Sequence, residues 1–316
     1  MELGIFHYLP GDEKDIMSGV NPAFLEGPGA ASAPMLAMIC LPDGKLCAAA
    51  VEHAYRGMTS GELSDEAVLQ RIGIVCHILA AAHLHQGFAG FTCPAINGVS
   101  GVMAADPAPI QDHEKLLRAQ TEPLETLFSM KPVSPDPAAG TTGCEQVQAL
   151  VDCPAGIFSY QSAWAMPTQV SCINPLRYAE AYYRLKAALV CLRQRAAGLE
   201  PAIFRANEED LLNAAVFFSG ITGNDLLNRR WLSFFKWLRR LPSYDLPGED
   251  QNVYYIRDFQ AQVLQTRDWL CQNSPALSVC DTLFPAEEPA PVSEPASGES
   301  VPGPSGHDAS DGPGNH

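Results

Sequence analysis

Residues Ser64–Gly87 read SDEAVLQRIGIVCHILAAAHLHQG, and this stretch decides the fold class. Ser64 can cap a helix whose first turn holds Asp65 and Glu66, where negative charge suits the positive end of the helix dipole. Leu63 and Val68 are spaced as a hydrophobic staple, and Gly87 supplies a stop. Between them Val68, Ile72, Val75, Leu79 and Ala82 recur at helical spacing. Ile74, Cys76 and Ile78 carry the apolar surface almost all the way round. That pattern predicts a helix over 64–86, central to the first half of the chain. Its apolar run, Ile72–Leu84, is interrupted by His77 and His83 and is shorter than a bilayer crossing, so no transmembrane segment is expected.

Toward the N-terminus, Gly4–Leu9 reads as a short strand followed by loop, because Pro10, Gly11, Gly19, Pro22, Gly27, Pro28 and Gly29 break regular structure. Met35–Cys40 and Leu46–Tyr55 flank Pro42-Asp43-Gly44. Proline presets a turn dihedral and glycine accepts a positive φ, so a β-hairpin is expected there. Beyond the central helix, short strands are expected around Phe88–Phe91 and Val99–Ala104. Helical spacing returns from Asp112 to Met130, divided by Pro123.

The sequence thus organises as a mixed α+β region over 1–131 and a Pro-rich linker over 132–143, within a mainly α protein. A helical region over 144–283 follows. It opens with a short helix at Glu145–Val151 and an irregular segment to Cys172. Asn174-Pro175 then starts a helix that Gly198 ends, and Asn207 starts another, with Glu208, Glu209 and Asp210 in its first turn. Helices over Asn224–Leu241 and Asn252–Gln272 complete four antiparallel neighbours in a bundle. The tail, 284–316, is acidic and rich in Pro, Ser and Gly. It has too little apolar surface to offset its ordering entropy, and disorder is expected.

Charge separates these regions further. The net charge is −16, yet residues 174–273 carry 13 of the 20 basic side chains against 11 acidic ones. In Asn224–Leu241, Leu226, Leu227, Trp231, Phe234, Phe235, Trp237, Leu238 and Leu241 share one half of the predicted helix. Arg229, Lys236, Arg239 and Arg240 share the other. A basic amphipathic helix in an acidic protein suits an acidic protein partner. Nucleic acid is an alternative through phosphate contacts, and the overall acidity disfavours broad nonspecific binding. A membrane surface is the weaker match for a helix set among other helices.

The ten cysteines include no Cys-x-x-Cys pair, and no charged-then-apolar leader opens the chain, so reduced thiols in a cytoplasmic protein are expected. Cys144 follows Gly140-Thr-Thr-Gly143 and precedes a short helix, where a lowered thiol pKa would make it a nucleophile, with His83, His85 or His113 as base. His77, His83 and His85, with Cys76, form the densest group of potential metal ligands. On a helix His83 and His85 point about 200° apart, and no metal site or cofactor is expected. The leading reading is a non-enzymatic interaction module, an adaptor, regulator or assembly factor acting through the basic helix. A Cys144-centred enzyme is the alternative.

Overall fold

The computed structural model describes residues 4–26, 33–140, 142–201, 206–222 and 249–273. The expected helix over 224–241, with Arg229, Lys236, Arg239 and Arg240, and the tail over 284–316 lie outside the described residues.

Four short helices open the chain: α1 (Gly4–His7), α2 (Glu13–Ser18), α3 (Pro22–Glu26) and α4 (Ala33–Leu36). The strand expected at Gly4–Leu9 is therefore replaced by a helical turn, with Pro10 pairing Cys40 as a single bridge. The expected hairpin is also corrected. The turn at Pro42-Asp43-Gly44 forms, with Asp43 at φ 68, but it leads into α5 (Lys45–Thr59) instead of a second strand. Ala48, Ala49 and Ala50 favour a helix. Leu46, Cys47, Ala50, His53, Ala54 and Gly57 give α5 one buried face, and burial at three- and four-residue spacing outweighs the turn signal.

α6 (Asp65–Leu84) is the central helix expected from the sequence. Ser64 Oγ accepts from the Ala67 amide at 3.2 Å, and the neighbours of α6 are α1, α5, the later α11 (Asn174–Ala196) and the C-terminal helix. This ring of neighbours explains its nearly continuous apolar surface. By length and composition alone, α6 could also cross a membrane; 56% of the relevant window is buried inside the protein.

A short helix α7 (Pro94–Asn97) leads into β1 (Val99–Ala105), and α8 (His113–Ala119) and α9 (Leu124–Leu127) stand on either side of Pro123, which caps α9. Around Phe88–Phe91 the expected strand is reduced to single bridges at Ala89 and Thr92. β2 (Met130–Pro132), a 3₁₀ turn (Glu145–Val147) and α10 (Gln148–Val151) precede β3 (Ile157–Ser162) and β4 (Gln169–Ile173). The segment expected to be irregular thus holds half of the sheet. The order is β2-β1-β3-β4, all antiparallel, so strands from both sides of 132–143 pair with one another. Gly101, at φ +57, sits where the β1–β3 register shifts, a position that favours a residue without a Cβ.

The sheet separates two cores. Phe158, Tyr160 and Cys172 join α5 and α6 in the larger, while Ile157 and Ile173 join Leu116, Leu124, Leu212 and Phe218 in the smaller. α11 packs on α5, α6 and α12 (Glu208–Ser219), and α13 (Glu249–Asn273) packs on α5 and α6.

Candidate functional site

Two features of the described residues combine accessible or polar chemistry with a defined geometry: a histidine cluster at the N-terminal end of the chain and an apolar groove beside α11.

The cluster begins with α1. Its last residue, His7, meets His77 of α6 edge-on, ring centres 4.8 Å apart at 89°, and His85 at 5.6 Å. His85 Nδ1 lies 3.2 Å from the His7 carbonyl, and Tyr8 packs on the His85 ring at 5.0 Å. The Tyr8 hydroxyl then accepts from the Cys144 amide at 3.1 Å and lies 3.4 Å from the Cys144 sulfur. Gly143 makes this approach possible. Its φ is +64, and a Cβ there would fall 2.0 Å from the Tyr8 oxygen.

The Cys144 thiol donates to Gln148 Oε1 at 2.8 Å, and Gln148 in turn donates to Asp152 at 2.7 Å. Cys144 is fully buried, and desolvation above all pushes its pKa up to about 12. This is opposite to the lowered pKa that a reactive thiol requires. The Tyr8 hydroxyl is also shifted upward, chiefly by burial. Desolvation first, and then the charge of His7, lowers His77, while burial brings His85 down to about 4. Both imidazoles are neutral at pH 7, a form that packs, accepts hydrogen bonds and binds metal. Among the described residues no three His, Cys, Asp or Glu side chains converge to hold a metal ion.

The other predicted residues lie elsewhere. His83 leaves α6 on another side, with Nε2 4.0 Å from Asp43 Oδ1 and Nδ1 3.9 Å from Glu180 Oε2; it is buried, and neither distance is a hydrogen bond. The divergence of His83 and His85 follows the helical angle read from the sequence. His113 opens α8, which packs against α9 and α12 beside the smaller core, whereas Cys144 belongs to the larger. Cys76 is half-buried, and desolvation raises its thiol pKa. Sequence reasoning missed His7 and Tyr8, which sit far from α6 along the chain and carry no local motif.

The groove, of ≈ 800 Å³, runs between α11 and α12. Leu185, Val190, Phe218 and Ile221 form its walls, Tyr182 and Leu189 are 42% and 45% exposed, and the cations Lys186 and Arg193 stand at its edge. Lys186 also lies over the Tyr183 ring at 5.6 Å. An open apolar surface bordered by cations has the chemistry of a protein contact. Its α11 half follows from the alternation of apolar and basic residues after Asn174; that α12 supplies the second wall follows only from the packing.

No curated protein and no solved structure matches this chain. Residues 3–275 match a protein family, and across that span the chain belongs to the family of unknown function DUF6765.

Proposed function

We propose that this protein is a non-enzymatic interaction module, an adaptor, regulator or assembly factor, that contacts an acidic protein partner through a cationic surface. The observation that carries the reading is the open apolar groove with Lys186 and Arg193 at its edge, in a chain of net charge −16. Cations around an apolar surface select an acidic partner by charge and hold it by burial. Arg229, Lys236, Arg239 and Arg240 belong to the same basic block of the sequence and extend this surface in the proposal. A helical C-terminal half presents it, and the acidic stretch over 284–316 competes for it in a salt-dependent manner. The thiols of Cys40, Cys47, Cys76, Cys93, Cys144, Cys153, Cys172 and Cys191, free among the described residues, fit a reducing, cytoplasmic setting.

The Cys144 enzyme reading has weaker support, because the thiol is buried, hydrogen-bonded and shifted upward. Nucleic acid remains a second class of partner for the same cations. The test is a crosslinking pull-down with the full chain and a variant in which Arg229, Lys236, Arg239 and Arg240 are replaced by glutamate. The folded variant should lose the acidic proteins that the wild type retains, and their retention would sink the proposal. Retention of DNA or RNA that falls steeply with salt would reassign the surface to phosphate binding.

A further inference from the structure

We propose that β4 is an open sheet edge that pairs with β4 of a second copy of this chain, antiparallel about a two-fold axis at Val170, so that two four-stranded sheets join into one. The inference goes beyond the interaction reading above and uses neither the groove nor its cations.

The register of β3 and β4 fixes which backbone groups of β4 face outward. In an antiparallel pair, opposed residues alternate between those that exchange hydrogen bonds and those whose N–H and C=O point away from the partner strand. Asn174 donates to the Gly156 carbonyl at 2.9 Å and Ser162 to the Thr168 carbonyl at 2.8 Å, one bonded pair beyond each end of the ladder. Between them Ile157 opposes Ile173, Phe158 opposes Cys172, Ser159 opposes Ser171, Tyr160 opposes Val170 and Gln161 opposes Gln169. By alternation Cys172 and Val170 bond to β3, while Ser171 and Gln169 turn their N–H and C=O away from it. Both residues are exposed, and none of these four groups bonds to another described segment.

The two edges of the sheet are guarded differently. An open edge is a template for another strand, and edges are blunted by brevity, lysine or proline. β2, the opposite edge, has three residues, Lys131 and Pro132 among them, and Lys131 pairs with Asp106. β4 has five residues and neither lysine nor proline. Its Cys172 and Ile173 are buried, which confines pairing to residues 169–171 and the exposed residues 166–168 before them.

Charge and symmetry select a second copy as the occupant. Residues 153–176, which include β3 and β4, hold no Asp, Glu, Lys, Arg or His, in a chain of net charge −16. Two such chains repel wherever acid meets acid, and this stretch brings them together without that repulsion. Glu125 of α9 reaches the strand, where Gln169 Nε2 donates to its Oε1 at 3.1 Å. That side-chain bond lies on a face of the sheet and leaves the backbone edge clear. The outward groups stand symmetrically about Val170. A two-fold axis there sets Gln169 opposite Ser171 of the second copy and Ser171 opposite its Gln169, so each outward N–H meets an outward C=O, with the two Val170 side chains as neighbours on one face. So short an edge makes an interface below the roughly 1,000 Å² of a stable complex, and a dimer that dissociates on dilution follows.

The test is sedimentation velocity of the full chain from low micromolar to near-millimolar concentration. The wild type should pass from monomer to dimer. Ser171→Pro deletes an outward N–H that β3 does not use, and should weaken dimerisation at least tenfold with an unchanged circular dichroism spectrum. Ser171→Lys should do the same by placing a cation on the edge, and it carries the comparison if the proline variant does not fold. Val170→Cys should form a disulfide-linked dimer under mild oxidation that the wild type does not form, because opposed residues of a non-bonded pair lie about 4.5 Å apart at Cα; absence of that link overturns the two-fold at Val170. A wild type that stays monomeric at every concentration overturns the proposal. So does a dimer that both Ser171 variants leave intact, which would place the contact on another surface. A monomer that binds a synthetic peptide of residues 167–173 also overturns it, and assigns the edge to an extended strand from another protein.

Discussion

Arg71 of α6 donates from Nε to Gln262 Oε1 of α13 at 2.9 Å, and both side chains are buried although 191 positions separate them. The same guanidinium donates from Nη2 to Gln265, so one arginine ties α13 to the central helix through two amides. Beside it, Trp269 stacks on His53 at 5.3 Å and donates to the Ala49 carbonyl at 2.9 Å, with the Arg56 guanidinium 4.7 Å from the ring centre. α13 is therefore fastened to α5 and α6 by a polar seam as well as by Leu270, which is fully buried.

Removing Arg71 leaves two amide oxygens without a donor, one of them on buried Gln262. Arg71→Leu should lower stability by about 2 kcal/mol, read as a shift of the urea midpoint. Arg71→Lys should restore little of it, because an ammonium on a flexible stem does not reproduce the two-pronged geometry. A variant as stable as the wild type would show that the seam contributes nothing.

His53 and His85 are both held at a pKa of about 4, largely by desolvation. For His53 the charges of Arg71 and Arg56 add to the effect. The unfolded chain binds protons near the ordinary histidine value of about 6.5, while the folded chain resists them down to about 4. Between those values the unfolded state holds more protons, so stability falls as the pH falls through this window. Urea midpoints at pH 7 and pH 5 should show the loss, and His53→Gln or His85→Gln should flatten it. A slope unchanged in both variants would assign the acid sensitivity to other groups.

Gly143, Gly61 and Gly198 all have positive φ, but only at Gly143 would a Cβ collide with another residue. Gly61→Ala and Gly198→Ala should each cost about 1 kcal/mol from backbone conformation alone. Gly143→Ala should cost clearly more, because it also drives Tyr8 away from Cys144. Thermal or chemical denaturation of the three variants gives the comparison, and equal losses would mean that Tyr8 moves aside freely.

Cys144 should be among the slowest thiols to react in the folded protein. Half-buried Cys153 and Cys191 should label before it, and denaturant should remove the difference. Mass spectrometry after brief treatment with a maleimide reads the order. Early labelling of Cys144 in the native state would revive a nucleophilic role.

Some of this was legible in the residues. Ser64, Asp112 and Asn207 cap α6, α8 and α12 by accepting from amides three positions on, a relationship contained within one turn of chain. The divergence of His83 and His85 follows from the fixed helical angle. The opposite error, a hairpin in place of α5, arose where a strong local turn signal pointed to a strand and packing on α6 selected a helix. β3 escaped notice because Ile157, Phe158, Ser159 and Tyr160 are all buried, which removes the alternation by which a strand with one exposed face is recognised.

The sequence by itself determined the central helix, the cap and end of α12, the span of α11 though not its cap, since Ile173 stands at that N-cap and Asn174 donates instead to the Leu150, Val151 and Cys153 carbonyls, and the concentration of positive charge in residues 174–273, because these depend on neighbours within a few positions. Tertiary structure alone decided that His7 and Tyr8 join His77, His85 and Cys144, that Arg71 meets Gln262, and that α11 and α12 enclose a groove. Those contacts join residues that covalent proximity does not relate, and they form only when burial of the two cores brings their elements together.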